Sequence, residues 1–159
     1  MSTAETEIEA PAPTVDPIKE AQKAAEVQAE QLRKLAVSMM PKDALAAAEQ
    51  AKQAGTQPYT VQVGEDFYVY RTINRFEFRA FTMDQAKQIT QLMESAEDPT
   101  QGQILAQIKR EEALVMKCVV HPVLNEFSIK ELPAGVIETI HNSIMATSGF
   151  GMEPIPVKL

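Results

Sequence analysis

Apolar positions along this chain change period twice, and each change marks a different kind of element. From Ile18 onward, Ile18, Ala21, Ala25, Leu32, Leu35 and Met39 fall on one side of a helix. Asp16-Pro17 opens it as an N-cap followed by a proline at the first helical position, and Pro41 interrupts it. A second, alanine-rich helix over Lys42–Ala54 stops at Gly55, a residue suited to the position just past a helix end. Both stripes are thin and rich in alanine, so they bury little area per residue. Two readings stand for residues 17–55: a helical hairpin packed on its own domain, or an arm laid across another subunit.

The period then drops to two. Tyr59, Val61 and Val63 alternate with Thr60 and Gln62, Gly64-Glu65-Asp66 turns the chain, and Phe67–Ile73 answers as a return strand. Asn74 kinks the path, and Phe76–Phe81, with alternating aromatics, is expected to form a third strand. In extended chain the evenly spaced Arg71, Arg75 and Arg79 share one face. They suit either an acidic partner surface, where arginines and aromatics concentrate, or the chain's own carboxylates.

Helical spacing returns at Thr82, where Thr82-x-x-Gln85 has the capping-box pattern. The helix it opens turns Met83, Ala86, Ile89, Leu92, Met93 and Ala96 toward a core, until Asp98-Pro99 breaks it. The next helix places Ile104, Leu105, Ile108, Glu112, Val115 and Val119 in register. It becomes apolar on nearly all sides over Val115–Val120, which implies burial, and His121-Pro122 ends it. Phe127, Ile129 and Leu132 are expected to pin the following loop. In LPAGVIETIHNSIMATSGF, Pro133 starts a final helix to Ser148 whose apolar face is Val136, Ile137, Ile140 and Ile144. Gly149 takes the left-handed position past its end and Phe150 folds back. The predicted class is α+β, mostly helical, with a small antiparallel β-hairpin or three-stranded sheet packed with a helical bundle. Its divisions are an acidic extended arm (1–16), a helical segment (17–55), a globular α+β domain (56–150) and an extended, proline-rich tail (151–159).

Charge refines this picture. The chain of 159 residues has a net charge of −7, but Glu5, Glu7, Glu9 and Asp16 lie in its first sixteen residues, which hold no Lys or Arg. The rest has 18 acidic against 15 basic residues, near balance and with no basic stripe, which argues against nucleic acid as a partner. One cysteine, Cys118, excludes an intrachain disulfide framework and points to a reducing compartment. No apolar run reaches the eighteen or so residues of a membrane span, and the acidic start lacks the layout of a signal peptide.

Candidate chemistry is sparse. The six glycines are scattered and make no phosphate loop. His121 and His141 have no second ligand at metal spacing, so they read as packing or surface residues and no metal or other cofactor is expected. Glu111 and Glu112 are adjacent on a helix and point apart, which rules against an acid–base pair. Cys118 sits in an apolar run where a thiol is inert, and Ser143 and Ser148 lack a nucleophile-elbow context. An enzyme is not expected.

Arg110-Glu111-Glu112-Ala113-Leu114-Val115 through Cys118-Val119-Val120-His121-Pro122 resembles a helix ending in E-E-x-x-V-x-x-C-V-x-x-P. Leu132-Pro133-Ala134-Gly135 and a helix closing in Ser148-Gly149-Phe150 follow it. With Tyr70-Arg71 and Phe78–Thr82 upstream, the stretch from Tyr59 to Phe150 resembles the small tail-assembly and baseplate proteins of tailed bacteriophages, including baseplate hub proteins and tape-measure chaperones. Residues 17–54 fall outside the resemblance. It implies a structural adaptor made in the host cytoplasm and carried in the virion tail, binding other tail or baseplate proteins and, as a further option, copies of itself, with no nucleic acid or membrane partner. Glu111, Glu112, Cys118, Pro122, Pro133, Gly135, Gly149 and Phe150 would be structural. Leu32, Leu35, Met39, Arg71, Arg75, Phe76, Phe78 and Arg79 are the candidate partner-binding residues. The alternative is an assembly chaperone, absent from the mature particle, whose methionines (Met39, Met40, Met83 and Met93 among them) line an adaptable groove.

Overall fold

In the computed structural model, which describes residues 16–151, Asp16 caps the first helix as its sequence implies: Asp16 Oδ1 accepts from the Ile18 amide at 3.1 Å. This helix, α1 (Pro17–Met39), has no buried residue, and the chain divides into two units between Met39 and Met40. The acidic arm up to Val15 and the tail from Met152 lie outside the described residues.

The second unit begins with α2 (Lys42–Gln53). Its end is a Schellman motif: the Gly55 amide donates to Lys52 O at 2.9 Å and the Thr56 amide to Ala51 O at 2.9 Å, with Gly55 at φ +79°. β1 (Pro58–Val63) and β2 (Asp66–Arg71) then form an antiparallel hairpin in the register Val63↔Asp66 to Pro58↔Arg71. The two-residue turn needs a positive φ at its first position, which Gly64 supplies at +65°.

Here the structure departs from the sequence reading. Phe76–Phe81 is not a third strand but the first turns of α3 (Arg75–Ser95). The local cause is a capping box eight residues earlier than expected. Asn74 Oδ1 accepts from the Glu77 amide at 2.8 Å, and the Asn74 amide donates to Glu77 Oε2 at 3.3 Å. Thr82 therefore sits inside the helix, its hydroxyl donating to Phe78 O at 2.9 Å. Phe78 and Phe81, three apart, turn inward, while Phe76 is 82% exposed. The shared face of Arg71, Arg75 and Arg79 goes with the strand: Arg71 ends β2, and Arg75 and Arg79 lie a turn apart on α3.

α4 (Pro99–Cys118) starts at Asp98, whose side chain accepts from the Thr100 amide at 3.0 Å. It returns along α3 with Gly102 at a close approach: a Cβ there would meet Ala96 Cβ at 3.0 Å and Met93 Cα at 3.3 Å. After Cys118 the chain turns extended rather than ending as a helix. Val119–His121 is β3, paired antiparallel with β2 through Tyr70↔Val119 and Val69↔His121, which makes the sheet order β1-β2-β3. β2 supplies the backbone partners that an extended Val119–His121 needs. A one-turn helix, α5 (Ser128–Glu131), buries Ile129 in the loop, but Phe127 is exposed and pins nothing.

α6 (Ala134–Thr147) takes Pro133 as its N-cap residue, one position earlier in role than expected. Its end is a second Schellman motif, with the Gly149 amide donating to Ala146 O at 3.1 Å and the Phe150 amide to Met145 O at 3.0 Å. Gly149 has φ +86°, and the Phe150 ring comes to rest 4.5 Å, centroid to centroid, from Phe78.

The fold of residues 40–151 is thus α+β and mostly helical, with one three-stranded antiparallel sheet. Its main core joins Tyr68 and Tyr70 of β2, Phe81 of α3, Leu114, Val115 and Cys118 of α4, and Ile137, Ile140 and Ile144 of α6. Side chains alternate along a strand, so Val69, fully buried, points to the other side of the sheet, where α2 packs with Ala44 and Ala51. His121, opposite Val69, reaches the same helix: its Nε2 lies 3.4 Å from Asp43 Oδ2. Alanine thus has a use on α2. A small side chain lets the helix sit close against a strand buried on both faces.

Candidate interaction surface

The apolar stripe of α4 is covered over only half its length. Val115 and Ile108 are seven apart and Ile104 one turn further, so all three lie along one face. Val115 has no exposed surface, whereas Ile108 is 44% and Ile104 55% exposed, with Leu105 beside them also open. The stripe runs off the core: α4 gives the core Leu114, Val115 and Cys118 near its end, while near its start Gly102 and Ala106 alone are buried. The sequence places these residues correctly on one face but says nothing of what covers it. The expected core face of α3 behaves alike: Ile89, Leu92 and Ala96 are half-buried, but Met83, Ala86 and Met93 are exposed.

A groove of about 450 Å³ lies between α3, α4 and α6. Phe78, Phe81, Ile89, Met93, Leu114 and Met145 line it, with Arg110, Glu111 and His141 at its edge. On the opposite side of the α3–α4 pair a more polar hollow of about 510 Å³ is lined by Gln85, Gln88, Gln91, Lys109 and Glu112 among others.

The other sequence-nominated residues divide between surface and scaffold. Leu32, Leu35 and Met39 stand exposed on α1, and Arg75, Phe76 and Arg79 on the first turns of α3. Phe78 is half-buried against Phe81 and Phe150. Arg71 meets a carboxylate of its own chain: Nη1 donates to Glu77 Oε1 at 3.2 Å and to Thr72 O at 3.2 Å. Burial pushes the Glu77 carboxyl up, but the Asn74 amide, the charge and hydrogen bond of Arg71 and the charge of Lys117 outweigh it, leaving Glu77 below the ordinary carboxylate value. The capping carboxylate of α3 is thereby tied to the end of β2.

Glu111 accepts from Gln107 at 3.0 Å and Glu112 from Lys109 at 3.1 Å, both along α4. Cys118 is wholly buried, and its thiol is pushed up by that burial, against a smaller opposing pull from Arg71. A thiol so placed is a packing group and not a nucleophile. Pro122 and Gly135 are exposed, the latter with open space where a Cβ would stand.

A polar seam that the periodicities do not reveal ties the sheet to α6. Ser148 Oγ accepts from the Ile73 amide at 3.0 Å, Tyr70 Oη reaches Ser143 O at 3.4 Å, and Thr147 Oγ1 lies 3.4 Å from Tyr70 Oη. Burial pushes the Tyr70 phenol above its usual value, the Thr147 hydrogen bond opposing. These hydroxyls pair with part-buried backbone groups and with each other across the contact. Among the described residues no group of three or more His, Cys, Asp or Glu side chains is placed to hold a metal ion, and no helix is long and apolar enough to cross a membrane. Comparison with family models, with curated proteins and with solved structures returns no match for this chain.

Proposed function

We propose that this protein is a small structural adaptor of a bacteriophage tail or baseplate, working by surface burial on neighbouring virion proteins and not by catalysis. The observation that carries the adaptor reading is the open half of the α4 stripe, Ile104, Leu105 and Ile108, on a helix whose other half is firmly anchored in the core. Apolar surface held on a rigid element is what a stable contact of about 1,200–2,000 Å² is built from. The tail assignment draws on the resemblance between Tyr59 and Phe150. Purified tailed particles from the source, quantified by mass spectrometry against a major tail protein, test it. A small, fixed integer number of copies per particle is the expected result, and absence from every phage fraction refutes it.

A second reading, the tail-assembly chaperone, is favoured by the groove between α3, α4 and α6. Met93 and Met145 line it beside Ile89, while Met39 and Met83 are exposed elsewhere. Unbranched, polarisable side chains adapt to irregular partners. The same quantification separates the two: a chaperone is missing from mature particles and is found in infected-cell lysate bound to one large tail protein.

A further inference from the structure

We infer that α1 is a self-association helix that joins copies of this chain through a coiled-coil-like contact. The inference stands apart from the tail reading, since it rests only on the register and exposure of α1.

Starting a heptad at Ile18, the a positions are Ile18, Ala25, Leu32 and Met39, and the d positions are Ala21, Gln28 and Leu35. Six of these seven positions are apolar, over three heptads. A strict seven-residue spacing is more than amphipathicity requires. An ordinary surface helix follows a period of 3.6, whereas 3.5 keeps one seam facing another helix of the same kind. The large seam residues are free to take such a partner: Ile18, Leu32, Leu35 and Met39 are between 54% and 67% exposed.

The charges follow the same register. Lys19, Glu26 and Arg33 fall at b, Glu20 and Lys34 at c, Lys23 and Glu30 at f, and none at a, d, e or g. Glu30 pairs with Arg33 at 3.2 Å and Lys34 at 3.9 Å along the outer face. The flanking positions are small or neutral instead: Gln22, Ala29 and Ala36 at e, Ala24, Gln31 and Ser38 at g. Charged flanks choose between partners and repel an identical copy when signs match. Neutral flanks carry no such repulsion, so identical helices meet on a wide face. Val27 at c and Val37 at f are the two apolar residues outside that face.

Area decides how much of the helix the contact must use. A helix of 23 residues is a cylinder about 34 Å long and about 10 Å across, with about 1,100 Å² of side surface. Two helices meeting over a and d alone cover about 600 Å² in total, well short of the roughly 1,200 Å² lower bound for a stable interface. Two helices that also use e and g cover about 1,250 Å², which reaches that bound. The alanines at these positions permit the closer approach this arrangement needs.

The test is the mass of the full chain by light scattering over a range of concentrations. The expected mass is at least twice the 17.6 kDa of one chain. Leu32→Glu with Leu35→Glu, at adjacent a and d positions, reduces it to a single chain, while Glu20→Lys with Arg33→Glu, at c and b, leaves it unchanged. Circular dichroism of the charged variant confirms that residues 40–151 still melt cooperatively, which separates lost association from lost folding. A monomeric wild-type chain overturns the inference, as does an oligomer that survives the Leu32 and Leu35 substitutions.

Discussion

Gly102 and Gly135 both stand near the start of a helix, yet alanine at the two sites is expected to act in opposite directions. Replacing a helical glycine with alanine gains up to about 1 kcal/mol from backbone entropy, less in a first turn. At Gly135 nothing lies within 4 Å of the new Cβ, so the gain survives, at about 0.5 kcal/mol. At Gly102 the Cβ would stand 3.0 Å from Ala96 Cβ and 3.3 Å from Met93 Cα. Neither is the far end of a flexible side chain. Relief requires α3 and α4 to separate by a few tenths of an ångström, and overpacking of this kind costs about 1–3 kcal/mol. The cost exceeds the gain, so Gly102→Ala destabilises by about 1 kcal/mol net, which lowers the melting temperature by about 4 °C in a unit of this size. Thermal unfolding of both full-length variants, followed by circular dichroism, reads the difference. A Gly102→Ala variant as stable as Gly135→Ala would refute the close approach of α3 to α4.

Ile140, fully buried between α6 and the sheet, is expected to cost about 3 kcal/mol when cut to alanine, seen as a lower urea midpoint at unchanged slope. Glu77, whose carboxyl is held below its ordinary value, contributes stability that is present above the unfolded value of about 4.3 and lost as pH falls through the lowered folded value. Because its side chain is 35% exposed, solvent screening keeps this to under about 1 kcal/mol. Glu77→Gln accordingly flattens the fall of melting temperature between about pH 5 and pH 3; parallel wild-type and variant profiles would disprove the coupling. The Cys118 thiol, buried and pushed up, is expected to react with iodoacetamide on the order of 10³-fold more slowly in the native chain than in urea, and rapid native labelling would contradict its place in the core.

Elements whose ends are written locally were legible in the sequence. The glycine caps at Gly55 and Gly149, the Gly64 turn and the Asp98-Pro99 break between two helices each depend on a few neighbouring residues. β3 was not legible, because Val119–His121 is a strand only by pairing with β2, some fifty residues away. At the start of α3 two local signals competed. The alternation of Phe76 and Phe78 suggested a strand, and the Asn74-x-x-Glu77 capping box, present in the sequence all along, prevailed. The candidate surface was half legible: periodicity puts Ile104 and Ile108 on the face of Val115, but only the packing of the folded chain shows which of them lie open.

The adaptor reading is tested most directly by Ile104→Glu with Ile108→Glu, substitutions at exposed positions that leave the core of residues 40–151 intact. The measurement is the number of copies of this chain per purified particle, in variant and wild type alike. Wild-type protein at a fixed count, with a folded variant missing from the particle, is the predicted result. Incorporation of the variant at the wild-type count would contradict the assignment of the α4 stripe as the surface through which this chain is held.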